Sequence, residues 1–308
     1  MSAQEKAGVF GKIRAQGDFL RVNASGPAAL ALVRWMEDCN EALHRASTVL
    51  SAEPLRFVFP DSRGEQVLIG ALAPGRDKVD RAFPLAVFTW SPAAALGAKF
   101  PLVPAIYRGF LDAAATLVSE APGLAPAVLT QRLRLLPLPD PADTASAEEW
   151  SQRAGAEKSV AALQRLFGEA ADGQRYYAFS TFEGACRNAR GGAPGRPNIA
   201  LDCPCTVEGD VWAWLELTRR ALAWPSPPPF FWRTGTAPAL VISLGAPPAG
   251  LLLLFAQAAR ESQKIWPLKT RQRPAVDQAQ RSLPPAHLAA IDRQDLTVRE
   301  LVDSLFPS

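Results

Sequence analysis

The sequence predicts an α/β fold: a three-layer α-β-α sandwich around a central mixed sheet, with a second, smaller α/β subdomain as the variant to distinguish. Two observations lead there. Short β-rich runs alternate with amphipathic helical stripes in both halves of the chain. The 308 residues are 48% hydrophobic and 20% charged, ordinary globular usage with enough apolar material for a large core.

The first helix is signalled by Ser25-Gly26-Pro27, a capping sequence with proline at the helix start. Leu32, Trp35, Met36, Cys39, Leu43, Ala46 and Leu50 continue it as one apolar stripe, which places Cys39 in the core. After Pro54 the pattern turns β-rich: Leu55 to Phe59, a polar Asp61-Ser62-Arg63-Gly64 turn, Gln66 to Ala73, then Phe83 to Trp90. Helices are expected from Pro104 to about Glu120 and from Ala125 to Leu136. The aperiodic Pro137 to Ala145 segment is the expected linker, dividing an N-terminal domain (1–140) from a C-terminal α/β region (141–308). Ser146 and Glu149 have capping-box spacing and open the next helix, with Val160, Leu163 and Phe167 as its buried face.

Further on, Arg175 to Thr181 is a strand candidate, Glu183 to Pro197 a Gly-Arg-rich loop, and Asn198 to Leu201 a short strand. A helix over Glu208 to Ala223 follows, with Glu208 and Asp210 suited to the positive end of its dipole. Strands near Phe230 to Trp232 and Ala239 to Leu244, a helix at 250–262, and a last helix opened by Thr297 and Glu300 complete the reading.

Composition excludes several functions. Thirty-three basic against thirty acidic residues give a formal charge of +3, too little for a dedicated nucleic-acid or membrane-surface binder. Two histidines, His44 and His287, cannot build a histidine-rich metal centre. Four cysteines in a chain of this length form no disulfide framework, which points to a reducing compartment, and Met1 to Lys12 has no apolar run resembling a secretory signal. Thr236 to Ala259 carries no charge, but Pro238, Gly245, Pro247, Pro248 and Gly250 break it into a strand, a turn and a helix rather than a membrane span.

Dinucleotide and phosphate loops, a nucleophile elbow and a zinc-protease helix are all absent, and neither an enzyme, a metal nor a cofactor is expected. Cys203-Pro204-Cys205 lacks the further ligands a structural zinc needs. Asp77, Lys78, Asp80 and Arg81 lie in a turn before a strand, where they either pair with one another or face a partner. Lys12 and Asp18 are open to the same two readings, as an ion pair or as recognition groups. Arg187, Arg190 and Arg196, with Gly191, Gly192 and Gly195, suit either a solvent loop or a phosphate site. Trp232 fits a core or a recognition surface.

Gly8-Val9-Phe10-Gly11-Lys12 followed by Gly17-Asp18-Phe19 resembles the G-x-x-G-K-x-x-x-x-G-D-F opening of the type VI secretion-associated TagF (ImpM) family. Pro74 to Leu85 is similar to the family's proline-led D-R-V-G-R-x-F-P-L segment at Asp77, Val79, Arg81, Phe83, Pro84 and Leu85. Lys78, Asp80 and Ala82 depart from it and make the segment less basic. Trp35, Phe231-Trp232, Gly235 and the Pro238 to Leu244 strand resemble later family features; the likeness is strong over 8–90 and weak after 140. The resemblance implies a central sheet between helix layers and a cytoplasmic regulator, most simply a repressor, that acts after translation without catalysis. It implies a forkhead-associated-domain protein as partner, with no nucleic acid, membrane insertion or small-molecule substrate. Lys12, Asp18, Asp77, Arg81 and Trp232 are the expected partner-binding residues. The competing reading is a phosphate or phosphopeptide-binding domain, or a hydrolase, using the arginine loop.

Overall fold

The computed structural model describes residues 7–61, 63–168, 173–190, 199–235, 237–256, 263–270 and 272–307. Its strands form one nine-stranded sheet in the order β2-β1-β5-β4-β3-β7-β8-β6-β9. They are β1 (Ala7–Gly11), β2 (Leu20–Val22), β3 (Leu55–Pro60), β4 (Gln66–Ala73), β5 (Leu85–Pro92), β6 (Ile199–Cys203), β7 (Phe230–Arg233), β8 (Ala239–Leu244) and β9 (Ile265–Pro267). Every pairing is antiparallel except β6 with β9, so the sheet is mixed. The halves of the chain meet where β3 pairs β7, with Phe57 opposite Phe231, and the sheet is continuous across residue 140.

Both faces of the central strands are covered, which explains why β4 reads as an almost unbroken apolar run. Its Val67, Ile69 and Ala71 face one core and Leu68 and Leu72 the other. On the second side lie α1 (Pro27–Arg45) and α10 (Leu251–Phe255), whose Leu32, Met36, Cys39, Leu251 and Phe255 pack with Phe57, Phe88 and Phe231. The first side carries α4 (Arg108–Glu120), α8 (Gln174–Ala189) and α9 (Glu208–Leu222), whose Phe110, Phe182 and Trp214 are buried with Val87 and Ile242. The predicted three-layer α/β architecture is therefore present.

Three local expectations need correction. Residues 175–181 are helical: Tyr176, Phe179, Phe182 and Cys186 recur at helical spacing and bury one face of α8, with Phe179 and Phe182 lying 5.8 and 5.4 Å from Trp214. A window of a few aromatic residues imitates a strand, whereas the period over sixteen residues does not. The capping box sits at Asp140 and Asp143, not at Ser146 and Glu149. Asp140 Oδ1 accepts from the amides of Ala142 (2.7 Å) and Asp143 (3.1 Å), Asp143 Oδ2 accepts from the Asp140 amide (2.9 Å), and Pro141 takes the first helical position. Much of the expected linker is thus the start of α6 (Pro141–Gly155), and Val160, Leu163 and Phe167 belong to a separate helix, α7 (Ser159–Phe167). Finally, the 103–120 region is broken into α3 (Val103–Ile106) and α4, and of the helix expected at 250–262 the described part is α10, residues 257–262 lying outside the described set.

The other helices are α2 (Ala93–Leu96), α5 (Pro126–Arg134), α11 (Arg273–Ser282), α12 (Pro285–Asp292) and α13 (Val298–Leu305). The last has the expected capping box of Thr297 and Glu300. No described helix is long and apolar enough to cross a membrane.

Candidate functional site

Two loops at one end of the sheet are locked together. β1 ends at Gly11, whose φ of +144° is open to glycine and whose Cα lies so near β5 that a Cβ would stand 2.2 Å from the Pro84 carbonyl oxygen. Across the gap a Cβ on Gly75 would meet the carbonyl oxygens of Lys12 (2.4 Å) and Phe83 (2.5 Å). These close approaches bring the loop following β1 against the 76–82 turn before β5.

Asp77 organises the contact. The turn closes through the Asp77 amide donating to the Arg81 carbonyl (3.2 Å) and the Phe83 amide to the Gly75 carbonyl (3.0 Å). Asp77 Oδ1 accepts from the amides of Val79 (3.0 Å) and Arg81 (2.9 Å), and Oδ2 meets Arg81 Nε at 2.7 Å and Lys12 Nζ at 3.1 Å. Arg81 then reaches over to donate from Nη2 to the Gly17 carbonyl (2.8 Å), and the Lys78 amide donates to the Gln16 carbonyl (3.0 Å). Although burial pushes the Asp77 carboxyl up, the amide and guanidinium of Arg81, the Lys12 ammonium and the Val79 amide outweigh it and hold the group well below the usual carboxylate range.

Around this anchor, Phe19 stacks on Phe10 (5.1 Å) and meets Phe83 edge-on (4.8 Å), while Lys12 Nζ lies 5.3 Å from the Phe19 ring centre. Asp80 adopts a left-handed φ of +66°, and its carboxylate holds Arg76 (2.8 Å) and Arg14 (3.5 Å). The knot turns a polar face outward: Arg14, Asp18, Lys78, Asp80 and Arg81 are exposed, together with Phe19 at 40% and Val79 at 61%.

The five sequence-derived residues thus separate. Lys12, Asp77 and Arg81 come together, Asp18 lies exposed on the same loop, and the partner of Lys12 is Asp77 rather than Asp18. Asp77 is 1% exposed and works as an internal pin, so of the clamp only Arg81 offers a surface. Trp232 is corrected: at 1% exposure it lies in the middle of β7, paired with Arg56 and Leu240 and 5.3 Å from Phe230, and is core rather than surface. Sequence reasoning passed over Phe19 and Val79. Both sat inside quoted motifs, which gave no sign of their exposure.

Elsewhere, two arginines of the alternative site have partners of their own. Arg187 is paired with Glu183, and Arg190 donates to the carbonyls of Ala221 and Arg220. Arg196 and its neighbouring glycines lie outside the described residues. Cys186 and Cys203 are pushed far up by burial and Cys205 up to about 12, which keeps all three as neutral thiols at neutral pH. Among the described residues no group of three or more His, Cys, Asp or Glu side chains is arranged to hold a metal ion.

The comparisons with known proteins differ in how much of the chain they span. A search of curated proteins finds no match. Among solved structures, PA0076 from Pseudomonas aeruginosa PAO1 is 18% identical, with 83% of this chain and 96% of that chain covered at a TM-score of 0.48. Residues 8–135 match the model of the TagF N-terminal domain, described as type VI secretion system-associated. β1 to α5 and both loops of the Asp77 knot lie inside that span, so the part of the chain that carries the knot is similar to the TagF N-terminal domain associated with type VI secretion.

Proposed function

We propose that this protein is a non-catalytic, cytoplasmic regulator of type VI secretion that restrains the apparatus after translation by binding a forkhead-associated-domain component of it. The observation that carries this reading is the TagF match over residues 8–135, which ties the domain to that secretion system. A rigid sheet presenting a pinned, solvent-facing loop pair suits a binding role. Restraint needs only that the regulator prefer the free component to its assembled form: a preference of about 3 kcal/mol shifts that balance more than a hundredfold.

The reading is tested with the purified chain and the purified forkhead-associated-domain protein of the same secretion locus, by titration calorimetry and co-elution. Cells lacking or overproducing the chain are assayed in parallel for effector secretion. A stoichiometric complex, with secretion raised by deletion and lowered by overproduction, is expected. Absence of a complex together with unchanged secretion in both strains overturns it.

A further inference from the structure

Large apolar side chains stand exposed at scattered places on this protein, but Phe19 and Val79 belong to one pair of interlocked loops. Val79 is at the tip of the 76–82 turn and Phe19 at the end of the facing loop, tied through Lys78 to Gln16 and Arg81 to Gly17. The loops are fixed before any partner arrives: Asp77 is saturated with donors, Asp80 is held at positive φ, and the Phe10, Phe19 and Phe83 rings form a firm base. Such preorganisation lowers the entropy lost on binding.

Charge decides the occupant. Five cations (Lys12, Arg14, Arg76, Lys78 and Arg81) meet three carboxylates (Asp18, Asp77 and Asp80) in these loops. Arg14 and Arg76 share Asp80, and Lys12 and Arg81 share Asp77, which leaves a local positive excess centred on the exposed cations. Lys78 makes no ion pair among the described residues. A phosphate backbone or lipid headgroup would use the cations but gives the exposed Val79 side chain no specific socket. We propose that the knot docks an acidic segment of a partner protein, with Val79 entering an apolar recess beside the exposed edge of Phe19 and Lys78, Arg14 and Arg81 facing its carboxylates. The identity of that partner rests on the regulatory reading above.

The experiment measures binding of the full chain to the purified forkhead-associated-domain protein at low and high salt, using Lys78→Glu and Val79→Asp. Val207→Asp serves as the control, an exposed apolar position (48% against 61% for Val79) just before α9 in the other half of the chain. Each knot variant is expected to weaken binding by about tenfold with an unchanged melting temperature, Lys78→Glu also to flatten the salt dependence, and the control to bind as wild type. If wild type binds and both knot variants bind equally well, the inference is overturned while the regulatory reading stands. If wild type forms no complex, the regulatory reading fails and takes this assignment with it. Binding to phosphatidylserine vesicles that Val79→Asp abolishes, without binding to protein, overturns it in favour of a membrane surface.

Discussion

Two buried carboxylates, one in each half of the chain, are built on the same plan and used differently. Asp77 (1% exposed) accepts two backbone amides and holds Arg81 and Lys12. Asp210 (2% exposed) accepts the amides of Thr206 (2.8 Å) and Val207 (3.0 Å) and the Thr206 hydroxyl (2.9 Å), and pairs with Arg165 at 2.6 Å. Arg165 continues to Glu157, so this second lock caps α9 and fastens it to α7 and to the short connection between α6 and α7. The arginines show the contrast: the Arg81 side chain is 61% exposed, that of Arg165 27%. One pin holds helices in place; the other holds a loop out to solvent. Thus a buried carboxylate with an arginine does not by itself mark a binding site, and what the outer members of the cluster face decides its use.

Breaking the interior lock has the largest expected consequence. Asp210→Ala strands Arg165 against Glu157 alone and leaves the Thr206 and Val207 amides without their acceptor, at a cost of about 3–5 kcal/mol. Urea unfolding followed by circular dichroism measures it, and a loss under about 1 kcal/mol would show that this lock is dispensable.

Asp77→Asn acts more locally. The amide side chain can still accept from Val79 and Arg81, but its NH2 group then faces the Arg81 and Lys12 cations. A melting-temperature drop of about 5 °C is expected, with faster amide exchange confined to 12–19 and 76–83. Loss of partner binding by Asp77 variants must therefore be read alongside stability, a pairing role being one of the two that the sequence left open for Asp77. The pH dependence has a definite sign. Because Asp77 titrates in the folded protein far below its ordinary 3.8, its ionised form contributes stability fully above about pH 4 and loses that contribution as pH falls toward the folded value. The gap in melting temperature between wild type and Asp77→Asn should shrink from about pH 5 to pH 2. A gap constant over that range would exclude Asp77 as the source.

Legibility followed the distance over which each feature is assembled. Asp77 and Arg81 are four residues apart, and their turn was readable as a charged motif. Lys12 reaches the same carboxylate only because β1 pairs β5, with Phe10 opposite Ala86, and because glycines at 11 and 75 let the chains approach. Asp210 was visible as an acidic residue in a first helical turn, while its lock with Arg165 and Glu157 depends on how α7 meets α9. Trp232 belongs to a motif that resembled the family and was read as a candidate surface. The β3–β7 and β7–β8 pairings set β7 in the middle of the sheet, and the helix layers on either side bury both its faces, neither of which local sequence encodes. The same pairings made one sheet of strands whose separation by the 137–145 segment suggested two units.

The smallest effects sharpen the comparison most, because lysine keeps the charge of arginine but not its planar fork. Arg165 spans two carboxylates, donating to both oxygens of Glu157 and to Asp210, and one ammonium cannot reproduce that span from the same stem. Arg165→Lys is expected to cost about 1–2 kcal/mol. In Arg81→Lys the ammonium can still meet Asp77, which Lys12 and two amides continue to hold, and only the strap to the Gly17 carbonyl is lost. That change should cost about 0.5 kcal/mol or less, as exposed ion pairs do. Parallel denaturant titrations of the two variants check the order. If Arg81→Lys proved the costlier, the exposed knot would be a principal strut of the sheet end. Its charges would then be explained by folding, and the case for a docked acidic partner would have to stand on Lys78 and Val79, exposed side chains that the Asp77 clamp does not use.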